Sequence, residues 1–185
     1  TCLENLSRKW INATCDYKYV YNWQWLGRPI IQFPTDIVAT QEVIWSVQPT
    51  IIIETGVAHG GSVIFNASQL ALLDLCKNGS TNIRNIDRRC IGIDIEIREH
   101  NRKEIERHAL FPMIELIEGS SVHLGIYSKV KDLIRPNDRV MVILDSNHTH
   151  DHVLRELELY APLVSKDSFI IVHDTGIEYA SEKFL

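Results

Sequence analysis

Four β-rich apolar runs in this chain of 185 residues each end in an acid, and helical patterns separate them. They are Ile51-Ile-Ile-Glu54, Ile91-Gly-Ile-Asp94, Val140-Met-Val-Ile-Leu-Asp145 and Phe169-Ile-Ile-Val-His-Asp174. Near-continuous Ile/Val runs suit strands buried on both faces. Alternation of such strands with helices predicts an α/β fold built on a doubly wound, mostly parallel sheet. Ligands of such sheets bind beyond the carboxyl ends of the strands, where the strand order reverses. All four acids fall on that edge.

The net charge is -5, with acids and bases interspersed. That balance argues against nucleic acid or an anionic membrane as the main partner. No apolar run approaches the roughly 20 residues of a membrane-spanning helix, and a cytoplasmic location is expected. The chain begins at Thr1, so its native start is expected upstream. Cys2, Cys15, Cys76 and Cys90 form no C-x-x-C pair. They read as free thiols, with Cys76 and Cys90 buried and the other two in an N-terminal arm.

The arm is residues 1–35. Tyr17, Tyr19, Tyr21, Trp23 and Trp25 alternate at period two, which predicts an extended strand with one aromatic face. That face packs over the core or against another subunit rather than acting as a lid, and a homo-oligomer is expected. The domain proper is residues 36–185. Pro34-Thr-Asp36 starts a helix that stops near Pro49. Strands are expected at 51–55, 90–95, 114–118, 139–144 and 169–172. Helices are expected at about 62–76, 98–109, 122–134 and 150–159.

The loop after the first strand is Gly56-Val-Ala-His-Gly-Gly61. It is not the G-x-G-x-x-G that brings backbone onto a pyrophosphate. Glu54 in its approach disfavours a phosphate and suits a cationic ligand. S-adenosylmethionine carries both an ammonium and a sulfonium group. Glu54, Gly56, His59 and Gly60 are the candidates for its binding, and Ser62 with the helix N-terminus can hold its carboxylate. The alternative is a glycine turn needed for close helix–strand packing. Asp94 can accept both hydroxyls of a ribose. Ser120, in Gly119-Ser-Ser121, can meet an adenine edge, or this segment caps the next helix.

Asp145 and Asp174 end consecutive strands. On neighbouring parallel strands their backbones lie about 4.8 Å apart. Carboxylates that close repel unless a proton or cation sits between them, and hard oxygen ligands suit Mg²⁺. His173 is either a third ligand or a structural hydrogen-bonding group. Between the acids, Asp145-Ser-Asn-His-Thr-His-Asp-His152 puts three histidines in five residues. No matched Cys or second His cluster makes this a zinc site. His148 is the candidate general base, while His150 and His152 cap or pack the following helix.

Four segments together resemble the cephalosporin hydroxylase/rhamnosyl O-methyltransferase family. They are Glu54-Thr-Gly-Val-Ala-His-Gly-Gly-Ser62, Gly92-Ile-Asp-Ile95, Leu144-Asp-Ser-Asn-His-Thr-His-Asp-His152 and His173-Asp-Thr175. The arm segment Trp25-Leu-Gly-Arg-Pro-Ile-Ile-Gln-Phe-Pro-Thr-Asp36 is similar too. The resemblance implies the Rossmann-like class I methyltransferase fold, S-adenosylmethionine and Mg²⁺. It implies Glu54, Gly56 and Ser62 at the methionine end of the cofactor, Asp94 at the ribose and Ser120 at the adenine. It also implies Asp145 and Asp174 as metal ligands, and puts His173 where catechol-type relatives carry an acid and His148 where they carry a lysine base.

Class I methyltransferases end in an antiparallel hairpin, and only five strands precede Leu185, so C-terminal strands are expected to be missing. The expected activity is metal-assisted O-methylation of a hydroxyl on a small molecule, sugar, glycolipid or polyketide. An NAD-dependent oxidoreductase shares Asp94 but needs the phosphate loop. A non-catalytic partner protein on a methyltransferase fold is the third reading.

Overall fold

The computed structural model describes residues 1–176. Five parallel strands form the central sheet in the order β5-β4-β3-β6-β7. They are β3 (Ile51–Thr55), β4 (Arg89–Asp94), β5 (Ile114–Glu118), β6 (Val140–Leu144) and β7 (Ile170–Val172). The order runs outward from β3 in one direction and resumes at β6 in the other. The switch point therefore lies between β3 and β6, which pair from Ile51 with Val140 to Thr55 with Leu144. The end of residues 36–185, and any strand beyond β7, lies outside the described residues.

Strand parity builds two cores, one on each face. Ile52, Cys90, Met141 and Ile143 point to one face, where α2 (Pro34–Val47), α3 (Gly61–Asn78) and α4 (Glu99–Glu106) pack through Ile44, Phe65, Leu70 and Ile105. Ile51, Ile53, Ile91, Ile93, Val140 and Val142 point to the other, under α5 (Leu124–Asp132) and α6 (His150–Tyr160) through Ile126, Val130, Leu159 and Tyr160. Parity also puts Glu54, Asp94 and Asp145 on the α3 side, with the even residues of β3 and β4 and the odd residues of β6.

The helices end where local chemistry ends them. Pro34 opens α2 at its first turn, and Gln48, left-handed at φ 56°, closes it before Pro49. Gly79, at φ 71°, closes α3. At α5 the cap is His123, whose ring nitrogen accepts from Gly125 N–H, not Ser120 or Ser121. Cys76 is exposed on the outer side of α3, and only Cys90 is a buried thiol. No helix among the described residues is long and apolar enough to cross a membrane.

The arm differs most from the sequence expectation. Residues Cys2–Asp16 form a helix, α1, whose first turn is closed by a Thr1–Glu4 capping box. Tyr19–Asn22 is a 3₁₀ turn. Only β1 (Trp23–Trp25) is extended, and it forms a hairpin with β2 (Arg28–Ile30). The alternating aromatics do not share a flat strand face: Tyr19 lies 5.4 Å edge-on from Trp23 and 5.9 Å from Trp10, Trp25 turns to Phe65, and Tyr17 is exposed. Leu3, Leu6 and Trp10, at i, i+3 and i+7, are the helical spacing that the stronger alternation masks.

The hairpin seats on α3. Trp25 donates its indole N–H to Ser68 Oγ at 2.9 Å and stands edge-on to Phe65. Gly61 permits the approach, because a Cβ there would lie 2.1 Å from Pro29 O. Gly61→Ala should therefore destabilise the protein by about 1–3 kcal/mol, the range for overpacking, and lower the urea midpoint. An unchanged midpoint would show that the hairpin seats elsewhere in solution.

Candidate functional site

The loop that joins β3 to α3 forms one wall of a cleft of about 260 Å³ at the switch point. Gly56, His59, Gly61 and Ser62 line it together with Asp145, His148 and Asp174. The glycines serve close packing inside the protein. Gly56, at φ 90°, has no room for a Cβ, which would lie 1.9 Å from Asp145 O. Gly60, at φ 85°, lies behind the cleft as the N-cap of α3, with Ile105 filling the space a Cβ would need. The packing reading of the loop is thus the one the contacts support, while its outer face and the N-terminus of α3 remain open to a ligand.

The loop is held from both sides. Asp94 Oδ2 accepts from Val57 N–H at 2.8 Å and Ala58 N–H at 2.9 Å. From the hairpin, the Arg28 guanidinium donates to His59 O at 2.7 Å and to Asn101 Oδ1 at 3.0 Å. Asn101 in turn donates to Ala58 O at 3.1 Å. These bonds hold Ala58 at φ 45°, a left-handed conformation unusual for alanine. Arg28 lies in the arm segment that resembles the family, a resemblance that implies no role for it, and Asn101, an asparagine in a charged helix, has no motif signal.

Glu54 does not reach the cleft surface. It is fully buried, and parity turns it into α3, where Ser62 Oγ and Asn66 Nδ2 donate to its two oxygens. Burial pushes its carboxyl up to about 8, reinforced by Asp145 and Asp94 and opposed by the two hydrogen bonds. Its place is beneath the helix N-terminus. Ser62 is tied to it as well as facing the cleft. Ser120 lies two strands away at the end of β5, its carbonyl accepting from His123 N–H at 3.0 Å.

The structure brings Asp145, His148 and Asp174 together, with one ligand atom of each within 4.8 Å of the others. His148 Nε2 and Asp174 Oδ2 are 3.2 Å apart. Asp174 reaches this group because the chain turns left-handed there, at φ 55°, after β7 has ended. Burial raises the Asp145 carboxyl, and the Asp174 carboxylate raises it further, while His173, Gln32 and His148 lower it. His173 stands outside the group of three. Its backbone N–H donates to Leu144 O at 2.9 Å, and its Nε2 is buried with no partner among the described residues.

Gln32, in the arm segment that resembles the family, is 8% exposed and donates from Nε2 to Asp145 Oδ2 at 3.3 Å. The arm therefore reaches into the acid cluster. Of the other two histidines, His150 is exposed beside Asp151 at 3.0 Å. His152 points inward, its Nε2 3.2 Å from both Ser121 Oγ and Ser146 Oγ.

The model of the Rhamnosyl O-methyltransferase/CmcI family matches residues 17–185. The chain belongs to this family. A rhamnosyl O-methyltransferase of Mycobacterium tuberculosis (strain H37Rv) is 26% identical over 144 residues, covering 77% of this chain and 53% of the relative. The chain thus spans about half the length of that relative. Among solved structures, CmcI with Mg and SAM superposes at a TM-score of 0.57, with 18% identity, over 86% of this chain and 60% of the other. The methyltransferase MycE from mycinamycin biosynthesis, in complex with Mg, SAH and mycinamycin VI, gives 0.54 at 17% identity, over 91% and 40%. These likenesses carry the fold: the five parallel strands are those of a class I methyltransferase.

The buried Glu54 gives this family member a measurable pH dependence. In the unfolded chain a glutamate ionises near its ordinary value of 4.5, whereas in the fold it stays protonated up to about 8. The stabilisation is fully present below the unfolded value and is lost as pH rises through the folded one. Urea stability should fall between about pH 5 and 8 by an amount on the order of a few kcal/mol. Glu54→Gln, which keeps a donor–acceptor pair for Ser62 and Asn66, should flatten that fall and exceed the parent's stability at pH 9. An equally steep fall in the variant would assign the pH dependence to other groups.

Proposed function

We propose that the chain carries out S-adenosylmethionine-dependent O-methylation of a hydroxyl on a sugar- or polyketide-bearing small molecule, assisted by a divalent cation. The single observation that supports this most is the Asp145–His148–Asp174 cluster, set beside a cleft walled by a helix N-terminus. The names of the mycobacterial relatives and of MycE support the acceptor class by analogy. Residues 36–185 supply the methyltransferase domain, and the arm of residues 1–35 walls its site.

The residues fit the two bound groups. Asp145 and Asp174 offer hard oxygens to Mg²⁺, and their mutual repulsion favours a cation between them. When bound, the cation supplies Lewis acidity that lowers the pKa of a hydroxyl beside it. The first turn of α3 presents backbone N–H groups to the cofactor carboxylate at Gly61 and Ser62. Among the described residues Asp94 Oδ1 accepts only from Glu96 N–H, at 3.2 Å, which leaves lone pairs for ribose hydroxyls. Acid groups along this edge favour the positive sulfonium.

His148 is the proton acceptor. When bound, S-adenosylmethionine would supply an electrophilic methyl group, whose transfer to the acceptor oxygen would leave a neutral thioether and release the hydroxyl proton. The hydroxyl proton passes to His148 Nε2, and Asp174 at 3.2 Å stabilises the imidazolium that results. Gln32, bonded to Asp145 Oδ2, fixes which oxygen of that carboxylate faces the cluster.

Two substitutions test the assignment. His148→Ala should lower turnover by ~10²–10⁴-fold, the span for losing a general base, with Mg²⁺ affinity by calorimetry within about twofold of the parent. A large loss of Mg²⁺ affinity would instead make His148 a ligand. Asp145→Asn should abolish Mg²⁺ binding, since it replaces one of two anionic ligands by a neutral amide. Mg²⁺ binding that survives in this variant would sink the metal assignment. Methyl transfer undiminished by a chelator would show that the cation takes no part.

A further inference from the structure

Arg28, Asn101 and His59 form a chain of hydrogen bonds whose sense is fixed by what each group can do. The Arg28 guanidinium can only donate, and it donates to Asn101 Oδ1 at 3.0 Å. The Ala58 carbonyl can only accept, and it accepts from Asn101 Nδ2 at 3.1 Å. The Asn101 side chain, 4% exposed, therefore has one orientation, with its amide nitrogen toward His59. His59 Nδ1 lies 3.3 Å from that nitrogen. A donor on Asn101 makes Nδ1 the acceptor, so the imidazole hydrogen sits on Nε2. The backbone of His59 is tied as well, since Arg28 Nε and Nη2 donate to its carbonyl at 3.0 and 2.7 Å. The residue so held lines the cleft together with Gly61 and Ser62, at the first turn of α3.

We propose that Arg28 and Asn101 are positioning residues that set His59 as an Nε2–H donor, and that this donor recognises the carboxylate at the amino-acid end of S-adenosylmethionine. The inference rests on the methyl-transfer reading for the identity of the ligand, and adds the side chains that select its anionic end. Asp145 and Asp174, which also line the cleft, suit the sulfonium and repel a carboxylate. The loop wall offers the reverse: the ring N–H of His59, the first N–H groups of α3, and the Arg28 cation bonded to the His59 carbonyl. A carboxylate accepts from such donors in charge-assisted bonds. The other tautomer would present a lone pair in place of the hydrogen and repel the ligand. The arm hairpin thus acts on the cofactor without touching it, through Asn101 and the tautomer of one histidine.

S-adenosylhomocysteine and methylthioadenosine are the probes, titrated calorimetrically into the whole chain. Both carry the adenosine and the sulfur, and only the first carries the amino-acid end. His59→Ala should weaken S-adenosylhomocysteine by about tenfold or more, the effect of one hydrogen bond to a charged group. Methylthioadenosine should stay within about twofold of the parent, since it lacks the group that His59 binds. Nitrogen NMR reads the tautomer directly, at about pH 8.5, well above the ordinary histidine pKa. In the parent the His59 hydrogen should be on Nε2. Asn101→Asp keeps a partner for Arg28 but turns an oxygen to His59 Nδ1, and should move the hydrogen there. A parent ring with its hydrogen on Nδ1, a ring unmoved in Asn101→Asp, or S-adenosylhomocysteine affinity that His59→Ala leaves unchanged or lowers no more than that of methylthioadenosine, overturns the proposal. A parent that binds neither probe defeats the methyltransferase assignment, whereas binding of both that does not depend on His59 defeats this proposal alone.

Discussion

The contact between Gly56 and the Asp145 carbonyl sets the geometry of everything at the switch point. No other residue type fits, since a Cβ would lie 1.9 Å from that oxygen. Gly56 N–H is meanwhile bonded to Ile93 O at 2.7 Å, and Asp145 N–H to Thr55 O at 2.9 Å. The ends of β4, β3 and β6 are therefore locked side by side. The loop after β3 leaves from the middle strand and the acid cluster from its neighbour, so their separation is a property of the sheet rather than of flexible loops. The proposed methyl transfer would gain from such rigidity, because positioning is a large part of what catalysis can supply.

Parity explains how a short strand serves two purposes. Ile51 and Ile53 belong to the core under α5 and α6, while Ile52 and Glu54 face α3. A carboxyl placed among apolar helix residues is costly unless hydrogen-bonded. Ser62 and Asn66, on successive turns of α3, meet that need. The acid that looks like a ligand group in the sequence thus fixes the start of α3, the helix end that faces the cleft. Asp94 acts similarly from β4 by gripping the loop's backbone N–H groups. The acidic edge is part scaffold and part site.

The fold was legible because it is written in long, regular signals. Five apolar strand segments, the first four each followed by a helical segment, leave few arrangements other than a doubly wound sheet. The acid cluster was legible in part: Asp145 and Asp174 follow from strand ends on neighbouring strands. His148 as their immediate neighbour, with His173 outside, depends on the left-handed turn at Asp174, which no spacing rule gives. The burial of Glu54 against α3 follows from strand parity. The roles of Gln32, Arg28 and Asn101 were not legible, although the first two lie in the arm segment that resembles the family. They act through contacts 31 to 113 residues apart in sequence, and long-range polar contacts leave no periodicity behind.

The histidine-rich segment shows how such contacts divide similar residues. His148 and His152 are four apart, yet one meets Asp174 and the other is drawn inward toward Glu156, which is fully buried. Ser146 Oγ donates to Glu156 at 2.7 Å, and Tyr160 donates to Ser121 O at 2.8 Å. His152, 3.2 Å from both Ser121 and Ser146, joins these bonds into one network. It ties the loop after β5 to the loop after β6, from beneath α6. Ser146 follows Asp145 directly, so the network holds the backbone from which both Asp145 and His148 extend. Packing on one side of this short loop leaves the other side free to present its ionisable groups to the cleft, and that division lets three histidines in five residues serve different ends.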